Sequence, residues 1–161
     1  MVKDLVKVLS MSDLIKIRLA ELNDIDKIAL LFDEYRQFYK QAPDFTYAKQ
    51  FITNRIQNHE SVILVAENTE PNLIGFCQMY PTFCSVAAAP ILVLYDLFVI
   101  ETTRKLGAGR ALMQAAADYA KINHYTRLDL STAKNNLKAQ ALYESLGWVR
   151  DEKFYYYSIS V

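Results

Sequence analysis

What this chain lacks narrows it first. It has no excess of either charge: 18 Lys plus Arg stand against 18 Asp plus Glu in 161 residues, a formal net charge of zero. A nucleic-acid binder normally carries a basic excess, so no nucleic-acid partner is expected. Long apolar runs are missing too. The longest, residues 86–95, falls well short of the roughly 20 residues of a membrane span, and Pro90 within it marks a loop entering a buried strand. Lys3, Asp4 and Lys7 interrupt the first ten residues, so no signal-peptide core forms there. The expectation is therefore a cytoplasmic protein with no membrane partner. Cysteine is scarce. Cys77 and Cys84 admit one disulfide, but fit better as two buried thiols in a reducing compartment. The two histidines, His59 and His124, sit in polar contexts at helix ends, and no Cys–His dyad is supported.

What is present is ordinary for a globular domain. Hydrophobic residues make up 52% and charged residues 22%, which argues against intrinsic disorder, and the length suits one domain over residues 1–161. Residues 1–10 read as an N-terminal extension, with Met11 a second candidate start. Ile15, Ile17 and Leu19 alternate with Lys16 and Arg18, a half-buried strand. Asn23 is placed to cap a helix running to about Lys40, with Ile25, Ile28, Ala29, Phe32, Tyr35 and Tyr39 inward. Pro43-Asp44 ends it, and a second helix fits residues 46–58. The period then changes: strands are expected at 62–67 and 73–81, joined by a turn at 68–72. A loop spans 82–90, and residues 91–100 form a strand buried on both faces, interrupted by Asp96. A helix from Gly109 to about Asn123, a strand at 125–130, a helix at 135–146 ended by Gly147, and strands at 148–149 and 154–159 complete the chain. The order predicts an α+β fold, a mixed sheet flanked by helices on both faces.

The strongest chemical signal is the stretch after that buried strand, Arg104-Lys105-Leu106-Gly107-Ala108-Gly109-Arg110. Glycines remove side chains where a backbone must approach a ligand, and the helix that follows offers free N–H groups and a positive dipole end. That combination suits a diphosphate. Arg104, Lys105 and Arg110 add positive charge; a glycine-softened turn with solvated cations is the plainer reading. The stretch is neither a P-loop, which needs Gly-Lys-Ser/Thr, nor a dinucleotide fingerprint, which needs a third glycine.

These residues resemble the acyl-CoA signature of the GNAT superfamily of N-acetyltransferases, Gln/Arg-x-x-Gly-x-Gly/Ala after a buried strand. Tyr95-Asp96-Leu97-Phe98-Val99 looks like that family's fourth strand. Downstream, Asn136-Leu137-Lys138-Ala139-Gln140-Ala141-Leu142-Tyr143-Glu144-Ser145-Leu146-Gly147-Trp148 is similar to the family's Asn-x-x-Ala-x-x-Leu-Tyr-Glu-x-x-Gly-Phe. The resemblance covers about residues 15–160. It implies acetyl-CoA as co-substrate, no metal, direct transfer without an acyl-enzyme, and a homodimer that shares a C-terminal strand. Residues 75–99 also resemble the diamine and thialysine acetyltransferase branch, which carries Glu where Tyr95 stands here.

Acetyl transfer to an amine sets three demands. A primary amine of pKa about 10 costs roughly 4 kcal/mol to deprotonate at pH 7, the thioester oxygen must be stabilised, and the departing thiolate needs a proton. The resemblance implies Tyr143 as the acid, near the CoA sulfur; a core aromatic on a stripe with Ala139, Leu142 and Leu146 is the plainer reading. It implies that Leu97, Phe98 and Val99 act through their backbone along the pantetheine, that residues 104–110 hold the diphosphate, and that Asn136 and Ala139 line the cofactor. Asp96 is the carboxylate nearest the chemistry, either relaying the amine's proton or simply a satisfied buried acid. The acceptor pocket is expected to draw on Asp33, Glu34, Tyr35, Tyr39, Tyr80, Phe83 and Tyr95. The aromatic run Phe154-Tyr155-Tyr156-Tyr157 reads as sheet or interface surface. Alternatives are a protein lysine or N-terminal acetyltransferase, a non-catalytic CoA-binding domain, and a generic α+β interaction module.

Overall fold

The computed structural model describes residues 14–161; the proposed N-terminal extension and Met11 start lie outside the described residues. These residues group into two compact units, one extending through Leu130 and the other Ser131–Val161.

The first unit is built on a five-stranded sheet in the order β1-β2-β3-β4-β5. Strands β1 (Lys16–Leu19), β2 (Val62–Glu67), β3 (Leu73–Cys84) and β4 (Ala89–Val99) run antiparallel in turn, and β5 (Leu128–Leu130) lies parallel to β4. Residues 63–66 of β2 are all buried, as a strand covered on both faces requires. Helices α1 (Ile25–Phe38) and α2 (Phe45–Gln57) pack Ile28, Leu31, Phe32, Ala48 and Ile52 with Ile63, Val65, Phe76 and Phe98 of the sheet. Helix α3 (Ala108–Ile122) turns Leu112, Met113, Ala116 and Ala120 inward and packs against β1 to β4. Successive strand residues point to opposite faces, so the buried Leu64 and Ala66 lie on the face away from the α1–α2 core.

Three departures from the sequence expectation concern local signals. Asn23 caps nothing. Residues Leu22–Asp24 form a 3₁₀ turn, and Asp24 instead accepts from the Glu21 amide (2.8 Å) and from Arg18 Nη1 and Nη2 (2.6 and 2.9 Å). Arg18 Nε also reaches Glu67 (3.1 Å), tying β1, the turn and β2 into one network. The loop expected at 82–90 is mostly strand: β3 and β4 continue pairing out to Cys84↔Ala89, leaving only residues 85–88 as the turn. Cys84 is accordingly not a buried thiol; it sits half-exposed at the end of β3, 3.9 Å from Arg127 Nη1. Cys77 is buried, and burial pushes its thiol up to about 12. Both are free.

The second unit holds helix α4 (Leu137–Ser145). Asn136 Oδ1 accepts from the Ala139 amide (3.3 Å) at its start, and Gly147, at φ 85°, ends it while the Trp148 amide takes the Tyr143 carbonyl (3.1 Å). The strands expected at 148–149 and 154–159 are not formed. Phe154, Tyr155, Tyr156 and Tyr157 are all more than four-fifths exposed, and Asp151 folds the chain locally by accepting from the amides of Lys153 and Phe154 (2.7 and 3.1 Å). A run of β-propensity makes a strand only when another strand takes its backbone groups.

Candidate active site

β4 changes character halfway along. Gln78 pairs with Asp96, but the next residue, Met79, pairs with Leu94, so Tyr95 is an extra residue with no partner on β3. Such a bulge bends the strand and increases its twist. On the opposite edge β4 pairs with β5 only over residues 92–94. Beyond that point, among the described residues, residues 95–99 have a neighbouring strand on the β3 side alone. Their outer backbone groups are left to hydrogen-bond to something else, and an extended ligand can lie there as a strand would.

The bulge also sets which side chains gather. Gln78 and Asp96 lie on the same face as Phe76 and Phe98, beneath α1. Asp96 is 5% exposed. Its Oδ2 accepts from Gln78 Nε2 at 2.7 Å, and it interacts with the hydroxyl of Tyr35. Burial raises its pKa above the usual carboxylate range, and the Gln78 amide and the Tyr35 hydroxyl act in the opposite direction. Tyr35 donates to the carbonyl of Tyr95 (3.3 Å) and stands edge-on to Tyr39, Phe76 and Phe98. Tyr80 meets the Tyr95 ring edge-on at 5.8 Å. Burial, and then the Asp96 charge, push the hydroxyls of Tyr35 and Tyr80 well above the normal tyrosine range, so both stay protonated.

Of the expected acceptor residues, Tyr35, Tyr80, Tyr95 and Asp96 therefore come together, with Tyr39 against Tyr35. Others do not. Asp33 holds the α1–α2 connection, accepting from Arg36 Nη1 (3.0 Å), Gln37 Nε2 (3.1 Å) and the Asp44 amide (2.9 Å). Glu34 faces solvent. Phe83 pairs with Pro90 near the hairpin end, five residues beyond Gln78, about 16 Å along the strand. Gln78 was missed. Its one signal in the sequence is that it breaks the apolar run of β3 as Asp96 breaks that of β4.

The strand then feeds the glycine loop. Arg104 turns back, with Nε donating to the Val99 carbonyl (3.0 Å) and its guanidinium 6.0 Å from the Phe98 ring centre, so it anchors the loop to β4. Lys105 and Gly107 both adopt positive φ (72° and 93°). Gly107 occupies the N-cap of α3 with no side chain capping the helix, so the first-turn amides of a 15-residue helix remain available to an anion. Lys105 and Arg110 are exposed at this end. The uncapped helix start and the unpaired edge of residues 95–99 are both features that a diphosphate joined to an extended amide arm would fit.

In the second unit Tyr143 is half-buried, its ring 6.2 Å from that of Trp148. Asn136 spends its carbonyl oxygen on the start of α4.

Comparison with known proteins gives the family. Residues 26–148 match the family model described as Acetyltransferase (GNAT) family. The uncharacterized N-acetyltransferase YhfO of Bacillus subtilis (strain 168) is 47% identical over 145 residues, covering 90% of this chain and 97% of that protein. A probable acetyltransferase of Haemophilus influenzae is 29% identical over 142 residues, covering 88% and 95%. The crystal structure of a probable acetyltransferase superposes with a TM-score of 0.86 at 35% identity, covering 91% of this chain and 97% of that one.

Proposed function

The chain belongs to the acetyltransferase (GNAT) family, and on that premise we propose that it moves an acetyl group from acetyl-CoA directly to the primary amine of a small cationic molecule, a diamine, polyamine or amino-acid-like amine. It is an acetyl-CoA-dependent acetyltransferase. The observation that carries the acceptor reading is the Asp96 carboxylate, withdrawn from water at the β4 bulge among Tyr35, Tyr80 and Tyr95. An anion set among aromatic rings is a site for a compact ammonium, each ring contributing about 0.5–2 kcal/mol.

In this reading the diphosphate rests on the amides of residues 105–110, and the pantetheine lies along the open edge of Leu97, Phe98 and Val99. Asp96 takes a proton from the ammonium, through water. The neutral amine attacks the thioester carbon, the new C–N bond forms, the C–S bond breaks, and the Tyr143 hydroxyl protonates the thiolate. A raised Asp96 pKa helps the first step, because a stronger base takes the amine's proton at lower cost. A panel of amines with acetyl-CoA, read by thiol release, tests the reading: short diamines and amino-acid-like amines should be the best acceptors.

One observation favours a peptide acceptor instead. Phe38, Tyr39, Phe45 and Tyr47, around the α1–α2 connection, are 40–55% exposed, an aromatic surface that a chain could cross. If peptide lysines or N-termini outperform every small amine in the panel, that reading replaces the first.

A further inference from the structure

A buried glutamine in an apolar strand needs an explanation. Gln78 has no exposed surface, and its neighbours Phe76, Cys77 and Met79 are equally buried. An amide withdrawn from water costs free energy unless both ends are bonded. Both ends of Gln78 are. Its Oε1 accepts from the Ser61 hydroxyl at 2.8 Å, just before β2, and its Nε2 donates to Asp96 Oδ2 at 2.7 Å.

This arrangement has a direction. An ionised carboxylate only accepts, so it requires the NH₂ side of the amide. A hydroxyl can donate or accept, but once the NH₂ faces Asp96, Ser61 must donate to the oxygen. If Asp96 were protonated, the flipped amide could serve it by accepting instead. Ser61 satisfies the amide oxygen in the orientation whose NH₂ faces Asp96, so the glutamine holds the carboxylate without leaving its own oxygen unbonded.

We propose that Gln78, held at its oxygen by Ser61, is a positioning residue that keeps Asp96 ionised and aimed so that it can accept the acceptor amine's proton. The proposal rests on the reading of Asp96 as proton acceptor. The other groups facing Asp96 are hydroxyls, Tyr35 on α1, with Tyr39 beside it, and Tyr80 on β3; the Cys77 thiol feels its charge from the opposite face of β3. Arg55 on α2 acts on Tyr80, as does Glu60 beyond it. Burial keeps Tyr35, Tyr80 and Cys77 neutral near pH 7; the Tyr35 proton is directed at the Tyr95 carbonyl, so among these neighbours Gln78 is the donor whose hydrogen bond offsets the desolvation of Asp96, with the Tyr35 hydroxyl acting the same way.

The test uses the full chain as Gln78→Met and Ser61→Ala. Two quantities are followed: the acid limb of the kcat/KM pH profile, and the carboxyl ¹³C titration of Asp96, assigned with Asp96→Asn. Loss of a donor to the carboxylate favours its protonated form, so both midpoints should rise, by about 1–2 pH units in Gln78→Met. Ser61→Ala, which removes only a half-exposed hydroxyl, should move them the same way by less. Should Gln78→Met fail to fold, Ser61→Ala alone decides. An Asp96 titration that stays put in the folded variants overturns the proposal. A titration that moves while the kinetic limb stays put supports Gln78 as keeper of the carboxylate and removes Asp96 from the chemistry.

Discussion

Asp96 is a residue whose environment works against its charge, and the two consequences can be measured separately. As the proton acceptor, it should cost 10²–10⁴-fold in kcat/KM when replaced by Asn, the usual range for general base catalysis. Stability should move the other way. Its folded pKa is raised by burial, so between the unfolded and folded values the native state holds more protons, and stability falls as pH rises through that window. Asp96→Asn, which keeps an acceptor for Gln78, should therefore raise Tm at pH 8 and lose the advantage near pH 3, where Asp96 is protonated in both states. Paired thermal melts at the two pH values check this, and an unchanged Tm at pH 8 would show that the buried charge costs nothing. For Tyr143, replacement by Phe should lower kcat by 10²–10⁴ with little change in acetyl-CoA affinity. Single-turnover kinetics with chemistry limiting would show no change if another group protonates the thiolate.

Two glycines act on whole elements. A Cβ on Gly75 would come within 2.7 Å of the Phe98 carbonyl oxygen, so β3 approaches β4 there only because no side chain intervenes. Gly75→Ala should push β4 outward at residues 98–99, cost about 1–3 kcal/mol by overpacking, and raise KM for acetyl-CoA more than KM for the amine. Denaturant titration and the two KM values together check it; equal effects on both would mean that β4's edge is not the cofactor's. Gly107 is different. Nothing crowds its missing Cβ, but its φ of 93° is one that β-branched residues avoid. Gly107→Val should distort the start of α3 and weaken acetyl-CoA at least tenfold by calorimetry. A wild-type affinity would place the diphosphate elsewhere.

For the molecule as a whole, a net charge of zero offers no long-range pull on a cationic substrate. In the proposed reading, attraction comes from the local carboxylate, and a group this buried is screened much less than a surface one. Raising ionic strength from about 0.05 to 0.5 M should therefore lower kcat/KM for a diamine by less than about threefold, against the tenfold or more of a steered enzyme. A steep salt dependence would point to surface acids such as Glu34, and away from Asp96, as the source of the proposed attraction for cations.

Local signals determined much of this protein. The order β-α-α-β-β-β-α-β-α follows from periodicity, and the helix end at Gly147 from one residue type; the strand-to-helix place of the glycine loop was legible in its residue types, whereas the positive φ of Lys105 was not. The tertiary structure decided what depends on partners far away in sequence. Whether Asn23 or Asp24 takes the turn depends on Arg18; whether residues 82–90 are loop or strand depends on β3 and β4 zipping past Pro81; whether residues 154–159 are a strand depends on a second strand being there. The bulge at Tyr95 is the clearest case. Strand register is a property of two segments at once, and no pattern within either reveals that one residue is left over. That single extra residue is what sets Gln78 against Asp96, 18 positions away, and so joins by a hydrogen bond two polar residues that each look like an interruption in an apolar strand.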